Sequence, residues 1–353
     1  MISSSQAIFQ APENEPHLSI VIPAYNEGEN LEELHKELMK ILPQLDMLWE
    51  VVFVDDGSKD QTWEKIKSIN KKDSRIKGVR FSRNFGHQYA LFAGLIHARG
   101  QAVITMDADL QHPPALIPQL LEEWQKGSKI VQTVRKDNQN ISWIKKSTSK
   151  LYYKLFSLLS GINLSSGVAD FRLLDRQIVN EIVRSKEVSL FLRGLVKWLG
   201  YSTTKVEYVC NDRFSGSSKY NLKKMLKLAW TGIISFSVIP LRMAIVLGFL
   251  TSSYAFYRLI YAYYIKRFTD TAVPGWASTI GVMSLMFGIL FILLGVIGEY
   301  IGRILIQVQG RERFIVSEKL ESSTSSNHDE ENRESTSIVC QRAKSEKRSD
   351  LQN

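Results

Sequence analysis

The sequence predicts an α/β protein in which a mostly parallel sheet is followed by a two-helix apolar hairpin. Short apolar runs alternate with amphipathic helical patterns through the first half of the chain, an order that gives parallel strands covered by helices on both faces. Two long apolar stretches then run from Leu241 to Ile265 and from Trp276 to Ile301, each long enough to cross a bilayer. Composition agrees: of 353 residues, 44% are hydrophobic and 23% charged, which excludes a disordered chain. Cys210 and Cys340 lie far apart, which leaves no disulfide framework and no four-ligand zinc cluster and points to a reducing compartment.

Residues 1–17 form an N-terminal extension, MISSSQAIFQAPENEPH, with neither the basic nor the apolar region of a signal peptide. Strands are expected at Leu18 to Ile22, Val51 to Val54, Val79 to Phe81, Ala102 to Met106 and Ile130 to Val134, all apolar and several β-branched. Helices are expected between them. ENLEELHKELMKIL places Leu31, Leu34, Leu38, Ile41 and Leu42 on one face, and Gly86 to Ala98 and Ala115 to Lys126 behave similarly. The globular domain is expected over 18–220, with an interfacial helix over 221–240, spans over 241–265 and 276–301, and a juxtamembrane segment over 302–316. The polar run from 317 to 353 has almost nothing to bury and is expected to be disordered. A second amphipathic segment starts at Ile141, with Trp143, Tyr152, Leu155, Phe156 and Leu159 among lysines. It either lies at the lipid headgroups or packs its apolar face on the globular domain.

Lys and Arg outnumber Asp and Glu by 45 to 36, a formal charge of +9 that favours polyanionic partners. Arg213, Lys219, Lys223, Lys224, Lys227 and Arg242 precede the first apolar stretch, and Arg303, Arg311 and Arg313 follow the second. The turn between them carries only Lys266 and Arg267. This bias puts both termini on the cytoplasmic face of a cell (inner) membrane protein. The same clustering beside the apolar stretches argues against a nucleic-acid partner.

In parallel sheets ligands sit beyond the carboxyl ends of the strands. The first strand ends in IPAYNE, the second in VDDGS, the third in FSRNFGH and the fourth in MDADLQHPP. Acids gathered at one mouth repel each other unless a cation and sugar hydroxyls occupy it. Asp107 and Asp109, one residue apart, suit Mg²⁺ or Mn²⁺, one ligating directly and the other ligating or reaching a donor sugar.

IPAYNE, VDDGS, DADLQ, ADFRL from Ala169 and RFSGSSKY from Arg213 together resemble the family 2, GT-A fold glycosyltransferases that act on polyprenyl phosphates. The nearest likeness is to bacterial bactoprenol glucosyltransferases, with dolichol-phosphate mannose synthases as wider relatives. The resemblance covers Leu18 to Arg313 and implies a Rossmann-like GT-A domain with a two-helix transmembrane hairpin. It also implies that Pro23, Tyr25, Glu27, Asp56 and Asp55 hold the nucleotide's base and ribose, with Arg83 nearby on the donor. Asp107, Asp109 and Gln111 would hold a divalent metal, Mg or Mn, and the diphosphate. Asp170 would be the catalytic carboxylate, orienting the acceptor or taking its proton, with Asp109 as its catalytic partner; the plainer role for Asp170 is a turn carboxylate paired with Arg172. Arg213, Ser217 and Lys219 would contact phosphate of the acceptor lipid or of the donor.

The implied reaction is inverting transfer of a hexose, glucose by the bactoprenol likeness, from a UDP-sugar to polyprenyl (undecaprenyl) phosphate. UDP-aminoarabinose-type donors and GDP-mannose stand as alternatives, and a homo-oligomer is compatible with the layout. A processive polysaccharide synthase is opposed by QTVRK at Gln132 to Lys136, where that class carries QxxRW, and by only two spans. A silent membrane scaffold is opposed by the intact Asp107, Asp109, Asp170, Arg213 and Lys219.

Overall fold

A computed structural model describes residues 16–135, 168–185, 190–208, 237–268 and 275–321. Among them the first half reads β1 (Leu18–Ala24), α1 (Gly28–Ile41), β2 (Trp49–Asp55), α2 (Thr62–Lys72), β3 (Ile76–Phe81), α3 (His87–His97), β4 (Ala102–Thr105), α4 (Ile117–Gln125) and β5 (Ile130–Arg135). Then follow β6 (Val168–Asp175), α5 (Arg176–Arg184), α6 (Leu192–Trp198), β7 (Thr203–Tyr208), α7 (Ile239–Phe268), α8 (Trp276–Val308) and β8 (Val316–Leu320). The eight strands form one sheet in the order β7-β5-β6-β4-β1-β2-β3-β8. β1 pairs in parallel with β2 and β4, β2 with β3, and β5 with β7, while β6 and β8 run antiparallel to their neighbours.

Strand periodicity sends alternate side chains to opposite faces, and each face is buried under helices. Leu18, Ile20 and Ile22 join Leu31 and Leu34 of α1, Trp63 and Ile66 of α2, and Leu120 and Trp124 of α4. On the other face Val21, Val52 and Val54 meet Ala90, Leu91 and Leu95 of α3, Ile178 and Ile182 of α5, and Leu195 of α6. Gly94 sets how closely α3 sits, since a Cβ there would lie 2.1 Å from Val21 Cγ1. All five expected strands are present, each starting and ending within three residues of its expected limits.

Two long apolar helices follow, and α7 starts two residues before the expected span. Within α7 and α8 the stretches Ile239–Ile265 and Gly281–Val308 are long and apolar enough to cross a membrane, with mean hydropathy 1.4 and 2.5. Phe249, at 72% exposed, and Phe291, at 68%, point away from the protein, which is opposite to what a hairpin buried in a soluble core would show. Tyr300 Oη donates to the Ser237 carbonyl at 2.7 Å, tying the end of α8 to the start of α7.

The expected disorder from residue 317 is corrected by β8. Val316–Leu320 forms an edge strand against β3, with Lys319 opposite Val79 and Glu318 opposite Arg80. It has side-chain as well as ladder contacts: Trp63 Nε1 donates to Glu318 at 2.8 Å, and Lys67 lies 3.1 Å from the same carboxylate. Just before it, Phe314 stacks on Phe81 with ring centres 4.8 Å apart. The globular domain is therefore discontinuous in sequence, taking its last strand from beyond the hairpin. The 141–161 segment, most of the expected interfacial helix, the first 15 residues and the tail beyond 321 lie outside the described residues.

Candidate active site

The site forms at the carboxyl ends of β1, β2 and β4, where the sequence placed its acids. β1 ends in buried Pro23, followed by half-buried Tyr25 and Glu27. Asn26 between them adopts φ 53°, a left-handed conformation that asparagine tolerates. This loop is laced to the one after β2. Asn26 N–H donates to Ser58 Oγ at 2.9 Å, Lys59 N–H to Asn26 Oδ1 at 2.9 Å, and Glu27 N–H to Thr62 Oγ1 at 3.0 Å. Glu27 also accepts from Asn30 Nδ2 at 2.6 Å.

The two aspartates after β2 are braced inside the protein. Asp55 is wholly buried, accepts the Ser58 N–H at 2.9 Å and lies 3.3 Å from Arg80 Nε on the neighbouring strand. Asp56 accepts from Phe85 N–H at 2.7 Å, Gly86 N–H at 3.0 Å and Asn84 Nδ2 at 2.9 Å. It is the clasp that holds the loop leading into α3. Burial pushes both carboxyls up, and the hydrogen bonds they accept only partly counter it. Gly57 passes the same loop so closely, at φ +67°, that a Cβ would sit 2.4 Å from the Arg83 carbonyl carbon. Arg83 itself is exposed and folds over the Phe85 ring at 4.2 Å.

Asp107 follows β4 and is one-third exposed. Its N–H donates to His112 Nδ1 at 3.1 Å, which fixes that imidazole as an acceptor, and His112 stacks on Phe171 at 5.2 Å. Leu110 at φ 61° turns the chain, and Gln111 N–H donates to Asp109 Oδ1 at 3.2 Å. Asp107, Asp109 and Gln111 thus lie along one tight loop.

Asp170 reaches this loop because β6 runs antiparallel to β4. Thr105 Oγ1 donates to the Asp170 carbonyl at 2.5 Å, so the start of β6 meets the end of β4. The buried Asp170 carboxylate accepts from Arg193 Nε at 2.9 Å and Arg193 Nη2 at 2.7 Å, and pairs with buried Arg172. Burial alone would raise this carboxyl. Arg193, His87 and Arg172 overrule it and hold it well below the usual carboxylate range. Both oxygens of this carboxylate thus face guanidinium groups.

Sequence reasoning missed two residues. Arg193, 23 positions beyond Asp170, comes from α6 and carries no local signal. His87 opens α3, and its Nε2 lies 3.5 Å from Asp107 Oδ1 and 3.6 Å from Asp170 Oδ2. Burial pulls the imidazole down, but the two carboxylates reverse this and raise it above its ordinary value. Arg213, Ser217 and Lys219 lie outside the described residues.

Among the described residues no three His, Cys, Asp or Glu side chains converge as a metal cage. The mouth nevertheless fits a hard divalent cation that shares its coordination with substrate oxygens. Asp107 Oδ1 is buried without a hydrogen bond, and Asp109 and Gln111 on the same loop supply further oxygen donors.

The glycosyl transferase family 2 profile matches residues 19–183. The uncharacterized glycosyltransferase YkcC of Bacillus subtilis is 43% identical over 298 residues, spanning 84% of this chain and 92% of the relative. The bactoprenol glucosyl transferase of Shigella phage SfII is 38% identical over 299 residues, spanning 85% and 97%. Among solved structures, glucosyl-3-phosphoglycerate synthase from Mycobacterium tuberculosis, in complex with Mn²⁺, UDP and glucosyl-3-phosphoglycerate, overlays with a TM-score of 0.40 at 18% identity, covering 61% of this chain and 76% of that one. With near full-length relatives at this identity and the mixed, mostly parallel sheet expected of the GT-A fold, the chain belongs to glycosyltransferase family 2 and is a glycosyltransferase.

Proposed function

We propose that the protein transfers glucose from UDP-glucose to undecaprenyl phosphate at the cytoplasmic membrane face, with inversion at the anomeric carbon. One observation carries this reading: relatives named bactoprenol glucosyl transferase match over 85% of this chain and 97% of their own length. A polyprenyl chain leaves the bilayer at a cost of ~0.8 kcal/mol per exposed CH₂, so its enzyme has to work at the membrane surface. The hairpin formed by α7 and α8 supplies that anchorage.

In this reading Pro23, Tyr25 and Glu27 bound the nucleotide pocket, Tyr25 offering a ring for base stacking and Glu27 an acceptor for ribose or base. Asp55 and Asp56 shape that pocket from behind, since their carboxylates are spent on Ser58, Arg80 and the 84–86 turn. Asp107, Asp109 and Gln111 hold Mg²⁺ or Mn²⁺, which when bound neutralises charge on the departing diphosphate. Arg213, Ser217 and Lys219 grip phosphate. A phosphate monoester has its second pKa near ~6 and is a ready nucleophile at neutral pH. Asp170, held ionised, keeps Arg172 and Arg193 in place at the point of attack and takes no proton.

The test is transfer of radiolabelled sugar from UDP-glucose to undecaprenyl phosphate by the purified full-length protein in detergent, with Mg²⁺ or Mn²⁺. A metal-dependent lipid product that Asp109→Ala cannot make is expected, the variant losing on the order of a thousandfold in rate. A product from another nucleotide sugar would correct the donor. No product and no nucleotide release across a donor panel would overturn the reading.

A further inference from the structure

His87 faces both carboxylates that the family likeness assigns to opposite sides of the reaction, and it is fully engaged by neither. Its separations from Asp107 and Asp170, 3.5 and 3.6 Å, exceed the roughly 2.7–3.2 Å of a well-formed N–H···O bond. Each Asp170 oxygen already accepts from an arginine, Oδ1 from Arg172 and Arg193 and Oδ2 from Arg193. The side chain is 43% exposed and so reachable from the mouth. Its position is set by backbone: the Gly86 N–H held by Asp56 fixes the turn before it, and the close seat of α3 at Gly94 fixes the helix behind it.

We propose that His87 is a substrate-binding residue that donates its Nε2–H to a phosphate oxygen lodged between Asp107 and Asp170. An anion suits this point because two guanidiniums already offset Asp170. The phosphate belongs either to the donor's diphosphate or to the acceptor's monoester, the two anionic groups that meet there if the transferase reading, on which this inference rests, is right. In the transfer the anomeric C–O bond to the diphosphate breaks and its electron pair leaves with the diphosphate. The new C–O bond forms to an acceptor phosphate oxygen. The imidazole keeps its proton throughout and contributes a hydrogen bond only.

The experiment compares full-length wild type with His87→Ala, His87→Phe and His87→Gln in detergent. It measures UDP affinity by calorimetry in Mn²⁺, and the KM for undecaprenyl phosphate. Losing a charge-assisted hydrogen bond is expected to weaken one of these constants by about tenfold to a hundredfold in the Ala and Phe variants. The Gln variant, which keeps an N–H donor, is expected to recover part of the loss, which a purely structural role would not produce. A weaker UDP affinity assigns the contact to the donor; a raised acceptor KM with UDP affinity intact assigns it to the acceptor. The Phe variant, similar in shape, keeps the test readable if the Ala variant does not fold. Variants that alter kcat alone, or neither constant, overturn the proposal. If wild type makes no lipid product, the transferase reading fails separately. Binding of inorganic pyrophosphate and of inorganic phosphate, one of the two about tenfold weaker in the variants if His87 acts as proposed and both unchanged if not, then decides on His87 by itself.

Discussion

On the β1-β2-β3 flank of the sheet burial outweighs charge partners, whereas on the β6 flank partners outweigh burial. Asp55 and Asp56 have their carboxyls pushed up, and burial, with Lys319, Lys77 and Arg99 adding to it, pushes the His97 imidazole down to about 4. Asp170, also buried, goes the other way because Arg193 and Arg172 lie against it. The first flank uses its acids as hydrogen-bond acceptors that shape loops. The second keeps a fixed charge cluster in the interior, next to the mouth where phosphates would meet. Burial by itself therefore does not tell what an aspartate does; its partners do, mainly loop N–H groups with a single arginine at Asp55 in one case and two arginines at Asp170 in the other.

The sharpest way to break this contrast is Asp170→Ala, which strands the buried Arg172 charge. It is expected to cost about 3–5 kcal/mol, read as a fall in the detergent melting temperature. Replacing both members with apolar residues, as in Asp170→Leu with Arg172→Met, is expected to recover most of that loss. A single variant as stable as wild type would show that the cluster is not the charged one described.

Next in size is a pH effect on the other flank. Unfolded, the His97 imidazole protonates near ~6.5; folded, only near about 4. Between those values the unfolded state binds a proton that the folded state refuses, so stability falls as pH drops from ~6.5 to about 4. The total is at most about 3 kcal/mol, and His97→Gln is expected to flatten that part of the melting profile.

The smallest effect separates the acceptor role from the charge role. Asp56→Ala leaves the Phe85 and Gly86 N–H groups without their partner and is expected to cost about 1–3 kcal/mol. Asp56→Asn keeps one acceptor oxygen and is expected to lose less than the alanine variant, with the larger part of its effect falling on the donor KM. Equal losses from both would mean that the Asp56 charge matters as such.

The parallel half of the sheet was legible because its strands are continuous apolar runs, buried on both faces. β6, β7 and β8 were not, for a physical reason in each case. VADFRLLD buries Arg172 and Asp170 against each other, so its polarity hides a core strand. TTKVEY and VSEKL are polar edge strands, and from composition they resemble loop or tail. In the site, Asp107 and Asp109 were legible because their spacing is local chemistry. The capture of Asp56 by the 84–86 turn and of Asp170 by Arg193 was not, because each joins residues more than 20 positions apart. His87 carries no local signal either, and only the pairing of β6 with β4 gives it two carboxylates to face.

β8 carries a topological consequence. The chain leaves the sheet after β7, runs through two helices long enough to cross a bilayer, and comes back to hydrogen-bond with β3 in that same sheet. A path that begins and ends on one rigid object crosses any sheet-like barrier an even number of times or not at all. Parity thus forbids a lone crossing between Tyr208 and Val316, whatever the charges at the helix ends would favour.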